Sequence, residues 1–102
     1  MYDSIKDWLN VDLVIRQFIK RDGAGDKTFK EPITVASYPV FETKLVRNSL
    51  GVDVSTSHHY YVNGNVIVSV LDEVRVDDKW LPIQAIDVFY RDGLPDIKVV
   101  HA

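Results

Sequence analysis

The chain has 102 residues, room for one domain and too few for two separate cores. Its hydrophobic share of 46% and charged share of 26% are those of a globular protein, and the absence of cysteine excludes a disulfide scaffold, an iron–sulfur cluster, a thiolate zinc site and a cysteine nucleophile. Twelve basic and fifteen acidic residues give a net charge of −3, which disfavours gripping nucleic acid by its phosphates but leaves room for a protein past which DNA slides.

Residues 1–10 read as a short N-terminal helix or arm. Asp3 and Ser4 can cap it, and Ile5, Trp8 and Leu9 fall on one helical face. Two turns need a partner surface, either the chain's own β domain or a neighbouring subunit. From Val11 the period drops towards two. Val11, Leu13 and Ile15 alternate with Asp12, Val14 and Arg16, predicting one long strand that Phe18 and Ile19 extend. Residues 21–27, with Gly23, Gly25 and four charges, predict a turn or loop.

A second strand region covers 33–48. Pro39 interrupts it and predicts an edge position, a bulge or a bend. Asn48, Ser49, Leu50 and Gly51 supply a turn. Val52, Val54, Thr56, His58, Tyr60 and Val62 then alternate with their neighbours, the clearest strand signal in the chain. Residues 43–62 therefore predict a long hairpin projecting from the domain. Its tip, Arg47, Asn48, Ser49, Leu50 and Gly51, exposes a leucine beside an arginine and is the candidate interaction site. An ordinary hairpin folded back on its own domain is the competing reading.

Asn63 and Gly64 predict a type I′ hairpin turn into a strand carrying Val66, Val68 and Val70. Val74 to Val76 leads into a tight turn at Asp77, Asp78 and Lys79. Residues 80–90 predict another strand, with a face switch near Ala85 and Ile86 that suggests a bulge or burial on both sides. Residues 91–95 form a turn, and 97–101 a final strand. About six strands joined by tight turns predict an all-β fold, a small barrel or sandwich in one domain spanning 1–102.

Catalytic chemistry is not assembled. His58 and His59 point to opposite sides of a strand, so they cannot chelate one ion, and His101 lies far along the chain; rim or surface histidines are expected and a metal is not. The pairs Asp72 and Glu73, and Asp77 and Asp78, sit in predicted turns where acids are solvated. Ser49, Ser55 and Ser57 belong to no nucleophile motif, and Gly23 to Gly25 lacks a phosphate-binding fingerprint. No cofactor is expected. No apolar run reaches the roughly 18–20 residues that span a bilayer, and no basic-then-apolar leader with a small-residue cleavage site is read, so synthesis in the cytosol is expected.

The order Thr43-Lys44-Leu45-Val46-Arg47-Asn48-Ser49-Leu50-Gly51, then Val54-Ser55, then Tyr60-Tyr61-Val62, resembles the middle of the small head-closure proteins of long-tailed bacteriophages. These are also called stoppers, head–tail connectors, head completion proteins or minor capsid proteins. The similarity continues through Ile67 to Val76 around Asp72, Ile83, and Tyr90-Arg91-Asp92-Gly93-Leu94-Pro95-Asp96-Ile97-Lys98-Val99-Val100. It covers roughly residues 11–102, and its motifs are structural punctuation whose joint order carries the resemblance. The helical stretch 1–9 is not part of it.

The resemblance implies a small β-barrel with a long loop or hairpin, here 43–62. It implies a six- or twelve-fold homo-oligomeric ring in the virion neck, below the portal and adaptor. Such a ring retains packaged DNA without sequence-specific binding and offers a platform to the tail terminator or tail tube. Outside the resemblance, the apolar face of Ile5, Trp8 and Leu9 is the candidate arm to a neighbouring subunit. The family has no catalytic residues to carry over, so no enzyme and no membrane contact are expected. Two alternatives stay open. One is another neck or tail-completion component, although an adaptor is mostly helical and a tail terminator carries more helix than this chain has room for. The other is an OB-like nucleic-acid binder using Tyr60, Tyr61, Trp80, Phe89 and Tyr90 beside Arg91.

Overall fold

A computed structural model of the chain describes residues 8–48 and 50–102. Among these residues the fold is all-β, with eleven strands and no helix. They are β1 (Val11–Arg16), β2 (Phe18–Arg21), β3 (Lys27–Phe29), β4 (Ile33–Val40), β5 (Lys44–Arg47), β6 (Asp53–Thr56), β7 (His59–Asn63), β8 (Glu73–Val76), β9 (Lys79–Pro82), β10 (Ala85–Arg91) and β11 (Leu94–His101). Seven form one antiparallel sheet in the order β10-β11-β7-β4-β1-β8-β9, while β2–β3 and β5–β6 are separate two-stranded ribbons.

The expected six strands become eleven because long period-two stretches are cut by tertiary contacts. The stretch 11–19 breaks at Gln17, whose carbonyl accepts from the Lys30 amide at 2.8 Å while its side chain donates to the Ile67 carbonyl at 2.7 Å. The stretch 80–90 breaks at Ile83 and Gln84. These two residues carry the chain from β9, at one end of the seven-stranded sheet, to β10, at the other. Laid flat, seven strands at the usual spacing would hold those ends about 29 Å apart, whereas a two-residue link reaches only about 11 Å. The sheet must therefore curl. The Ile83 amide donates to the Asp72 carbonyl, beside β8, and the Gln84 amide donates to the His101 carbonyl of β11. The result is a half-barrel drawn together at this corner.

Register decides which side chains fill the concave face. Leu13 stands opposite Val35, Ser37 opposite Val62, Tyr60 opposite Val100, Ile15 opposite Val74, and Val74 opposite Leu81. Leu13, Ile15, Tyr60, Val62, Val74, Ile83 and Val100 form one buried cluster, which Val35, Val76, Leu81 and Ile86 extend. Val66, Val68 and Val70 also pack on it, but from an irregular segment rather than the expected strand. Burying each such side chain stabilises the fold by roughly 1.5–3 kcal/mol before entropy is counted.

Pro39 illustrates how the sheet tolerates an imino acid. β4 pairs with β1 from Ile33 to Ser37 and with β7 from Ser37 to Val40. Pro39 lies beyond the end of the β1 pairing, so it is locally at an edge, where no ladder bond needs its missing N–H. Ser37, at the handover, is fully buried, and its hydroxyl donates to the Val11 carbonyl at 2.9 Å.

The tight turns fall where expected, with one correction. Asp77 and Asp78 join β8 to β9 with φ of 50° and 63°, and Asp92 and Gly93 join β10 to β11 with φ of 52° and 79°. Two successive positive φ angles are the type I′ signature. Asn63 and Gly64 do not share it. They begin a turn closed by the Val66 amide on the Asn63 carbonyl at 3.0 Å, and no strand returns along β7 there. Gly64 is required for another reason: a Cβ built on it would stand 2.4 Å from the Pro95 carbonyl carbon. Asp72, expected to be solvated, is buried. Its carboxylate accepts from the Phe18 and Ser69 amides, each at 2.8 Å, and pins the irregular segment to the start of β2.

Candidate functional site

The β5–β6 ribbon is built from four cross-strand pairs: Lys44 with Thr56, Leu45 with Ser55, Val46 with Val54, and Arg47 with Asp53. Alternation sorts them onto two faces. Val46 and Val54 are half-buried and Thr56 is buried, whereas Leu45, Arg47, Asp53 and Ser55 are exposed. The ribbon therefore presents one outward face on which Leu45 stands 76% exposed among charged and polar neighbours. Two strands of this length are marginal in water without a supporting surface.

The tip is a compact loop organised by Asn48. Its side-chain oxygen accepts from the Leu50 and Val52 amides, both at 3.0 Å, and its own amide donates to the Val52 carbonyl at 2.9 Å. Gly51 closes the loop at φ 78°, a conformation that costs a residue with a Cβ. Arg47 Nε donates to Asp53 Oδ1 at 3.3 Å across the ribbon's end. Leu50 is 84% exposed, the most exposed large apolar side chain among the described residues. Arg47, Asn48, Leu50 and Gly51 thus come together as expected, and Ser49 lies outside the described residues.

The predicted hairpin 43–62 is shorter than expected. Only Lys44 to Thr56 forms the ribbon; Ser57 and His58 connect it to β7, and His59 enters the main sheet as the first residue of that strand. The ribbon's root is held by aromatic and imidazole contacts. The Phe41 ring meets His58 and Tyr60 edge-on, with centroids 5.5 and 6.1 Å apart. The His58 and Ala102 backbones exchange two hydrogen bonds, at 2.8 and 3.2 Å, prolonging the β7–β11 ladder.

His59 and His101 face each other across that ladder on the convex side of the sheet, opposite Tyr60 and Val62. Their Nδ1 atoms lie 2.7 Å apart. His59 Nε2 is 2.8 Å from the Glu42 carbonyl oxygen, and His101 Nε2 is 2.8 Å from Asp87 Oδ2. Both rings are buried rather than on the rim. Burial lowers the His59 pKa from its ordinary 6.5; the Glu42 carbonyl opposes the shift, and His101 and Lys44 add to it. The pairing was not readable along the chain, because it depends on the register of strands 42 residues apart.

The sequence matches no protein-family model, and comparison with curated proteins returns no match.

Of the expected arm, Ile5 and the predicted helical turns lie outside the described residues. Trp8 sits in a turn, its ring tilted against Tyr38 with centroids 5.5 Å apart, and Tyr38 in turn meets Tyr61 edge-on. Trp8 remains 54% exposed and Leu9 is half-buried. Of the aromatic set proposed for base stacking, Tyr60 is buried in the core and Tyr61 packs on Tyr38, which leaves Tyr90 the most open at 63%. Trp80 and Phe29 lie over Arg16, 4.5 and 4.1 Å from its guanidinium carbon, and Arg16 also pairs with Glu73. Among the described residues no cluster of three or more His, Cys, Asp or Glu could hold a metal ion.

Proposed function

We propose that this chain is a structural subunit of the neck of a long-tailed bacteriophage. In this reading it is a head-closure protein whose copies form a six- or twelve-fold ring below the portal and adaptor. The ring retains packaged DNA without reading its sequence and carries the tail terminator or tail tube. The observation that carries the reading is the β5–β6 ribbon. Part of one stretch through which the sequence resembles the head-closure family, Lys44–Arg47, falls on a ribbon separate from the main sheet, with Leu45 and Leu50 exposed along the ribbon and its tip. A further stretch of the resemblance, 90–100, falls on the β10–β11 hairpin, whereas 67–76 lies mostly in the irregular segment before β8.

In the proposed ring the curled seven-stranded sheet forms the wall. The ribbon reaches towards the lumen or the adaptor, and its Leu45 face meets the neighbouring component. Ile5, Trp8 and Leu9 belong to an arm that meets the adjacent subunit. The role is structural, with no bond made or broken and no cofactor.

Electron microscopy of phage particles assembled without the chain tests this. Tail-less capsids that package DNA and then lose it, accompanied by free tails, are the expected result. Complete tailed particles would remove the neck role. Deleting residues 47–51 separates the ribbon's part: the chain should stay folded while DNA retention or ring assembly fails.

A further inference from the structure

We infer that His59 and His101 form a proton-governed latch at the root of the β5–β6 ribbon, complete when the two rings share one proton more than two neutral imidazoles carry and released when a further proton is added. The inference goes beyond the neck reading and does not depend on it.

The argument is a count of donors. Three hydrogen bonds run in series from the Glu42 carbonyl to His59, from His59 to His101, and from His101 to the Asp87 carboxylate, at 2.8, 2.7 and 2.8 Å. A carbonyl oxygen only accepts, and so does a carboxylate. Each outer bond therefore takes its proton from a ring nitrogen, and the central nitrogen–nitrogen contact needs a third. Two neutral imidazoles hold one proton each. All three bonds exist together only if one ring is an imidazolium.

The surroundings decide which ring carries it. Asp87, from β10, stands against His101 and offsets a positive charge there. His59 is fully buried, and the Lys44 ammonium opposes a second positive charge beside it. The arrangement is therefore a neutral His59 that donates from Nε2 to Glu42 and accepts at Nδ1 from a charged His101. Other titratable groups near the pair include Glu42, whose carboxylate lies 3.0 Å from Lys44 Nζ, His58, whose ring faces Phe41, and Tyr61, two residues along β7, which interacts with Lys44.

Adding a proton places two N–H groups nose to nose at 2.7 Å and two positive rings side by side. One ring must turn away. If His59 turns, it gives up the Glu42 carbonyl, which lies two residues before β5. The Phe41 contacts and the His58–Ala102 ladder then remain near the ribbon root. A proton arriving at this pair is in this way read out as freedom of the ribbon.

The test uses the full chain labelled with nitrogen-15 at histidine. Long-range proton–nitrogen spectra at neutral pH should show His101 protonated at both nitrogens and His59 protonated at Nε2 alone. On acidification His59 should gain its second proton, and amide exchange in β5 and β6, corrected for intrinsic pH dependence, should rise about tenfold while β7 and β11 stay protected. Asp87→Asn, at an exposed side chain, keeps the acceptor and removes the charge; the pair should then give up its extra proton about one pH unit or more lower than in the wild type. Two neutral rings at a pH where the ribbon is protected would overturn the inference. So would unchanged ribbon exchange as His59 titrates, or an Asp87→Asn chain that titrates like the wild type.

Discussion

Gly64 lies with its Cα against the backbone of Pro95, and its amide donates to the Asp96 carbonyl at 2.8 Å. A methyl group there would meet Pro95 backbone atoms at 2.4 and 2.5 Å and the Asp96 nitrogen at 2.6 Å. None of these is the end of a flexible side chain, so β7 and β11 would have to part. Gly64→Ala should lower stability by about 1–3 kcal/mol, measured by urea denaturation. An alanine variant as stable as the wild type would mean that the two strands yield freely.

Arg16 joins four strands. Its guanidinium lies between Phe29 and Trp80 and pairs with Glu73, which links β1, β3, β8 and β9. A lysine keeps the charge but not the flat stacking surface or the fork of donors. Arg16→Lys should therefore cost about 1–2 kcal/mol, and Trp80 fluorescence should report the loosened packing.

The turn between β8 and β9 is strained at both central residues, with Asp77 and Asp78 at positive φ. Glycine at the second position removes that strain, while the Arg75–Asp78 ion pair it sacrifices is exposed and weak. Asp78→Gly should raise stability by about 0.5–1 kcal/mol, visible as a higher denaturation midpoint at unchanged slope.

His59 sets an acid limb on stability. Its pKa in the folded chain lies below the ordinary 6.5 because burial disfavours the imidazolium. Below pH 6.5 the unfolded chain then binds more protons than the folded one at this site, so stability falls as pH falls. The contribution is intact above that value. Denaturation midpoints measured from pH 8 to pH 5 should drop on the acid side, and a His59→Gln chain should drop less. A flat profile in the wild type would contradict this account.

At the ribbon tip, Asn48 satisfies two amides that are otherwise left to water. Asn48→Ala should speed amide exchange at Leu50 and Val52 severalfold and leave global stability within about 0.5 kcal/mol. Faster global unfolding or a large loss of stability would place the tip in the cooperative core.

The all-β class was legible because alternation and turn chemistry agree where a strand is half-buried. Asp77 and Asp78, and Asp92 and Gly93, mark their turns by residue type alone. The misread positions are those where a distant contact outvotes a local preference. Asn63 and Gly64 carry a hairpin signal, yet Gly64 is used for its missing Cβ against Pro95. Ile83 and Gln84 lie inside the predicted strand 80–90, where the face switch at Ala85 and Ile86 marks an irregularity but not its kind; they span two ends of a curled sheet. The ribbon's tip was readable from Asn48 and Gly51. Its root was not, since His59 and His101 meet only through the β7–β11 register.

The two-residue link at Ile83 and Gln84 gives the molecule a clasp. On one side of it stands the β8–β9 hairpin, which grips β1; on the other stands the β10–β11 hairpin, which grips β7. The strands β7, β4 and β1 are held between two arms of one continuous segment. Lifting either arm uncovers the same Val62 and Val74 core and slackens the link that seats the other. The two ends of the sheet, six strands apart in its ladder, should therefore open as a single cooperative unit rather than fray separately.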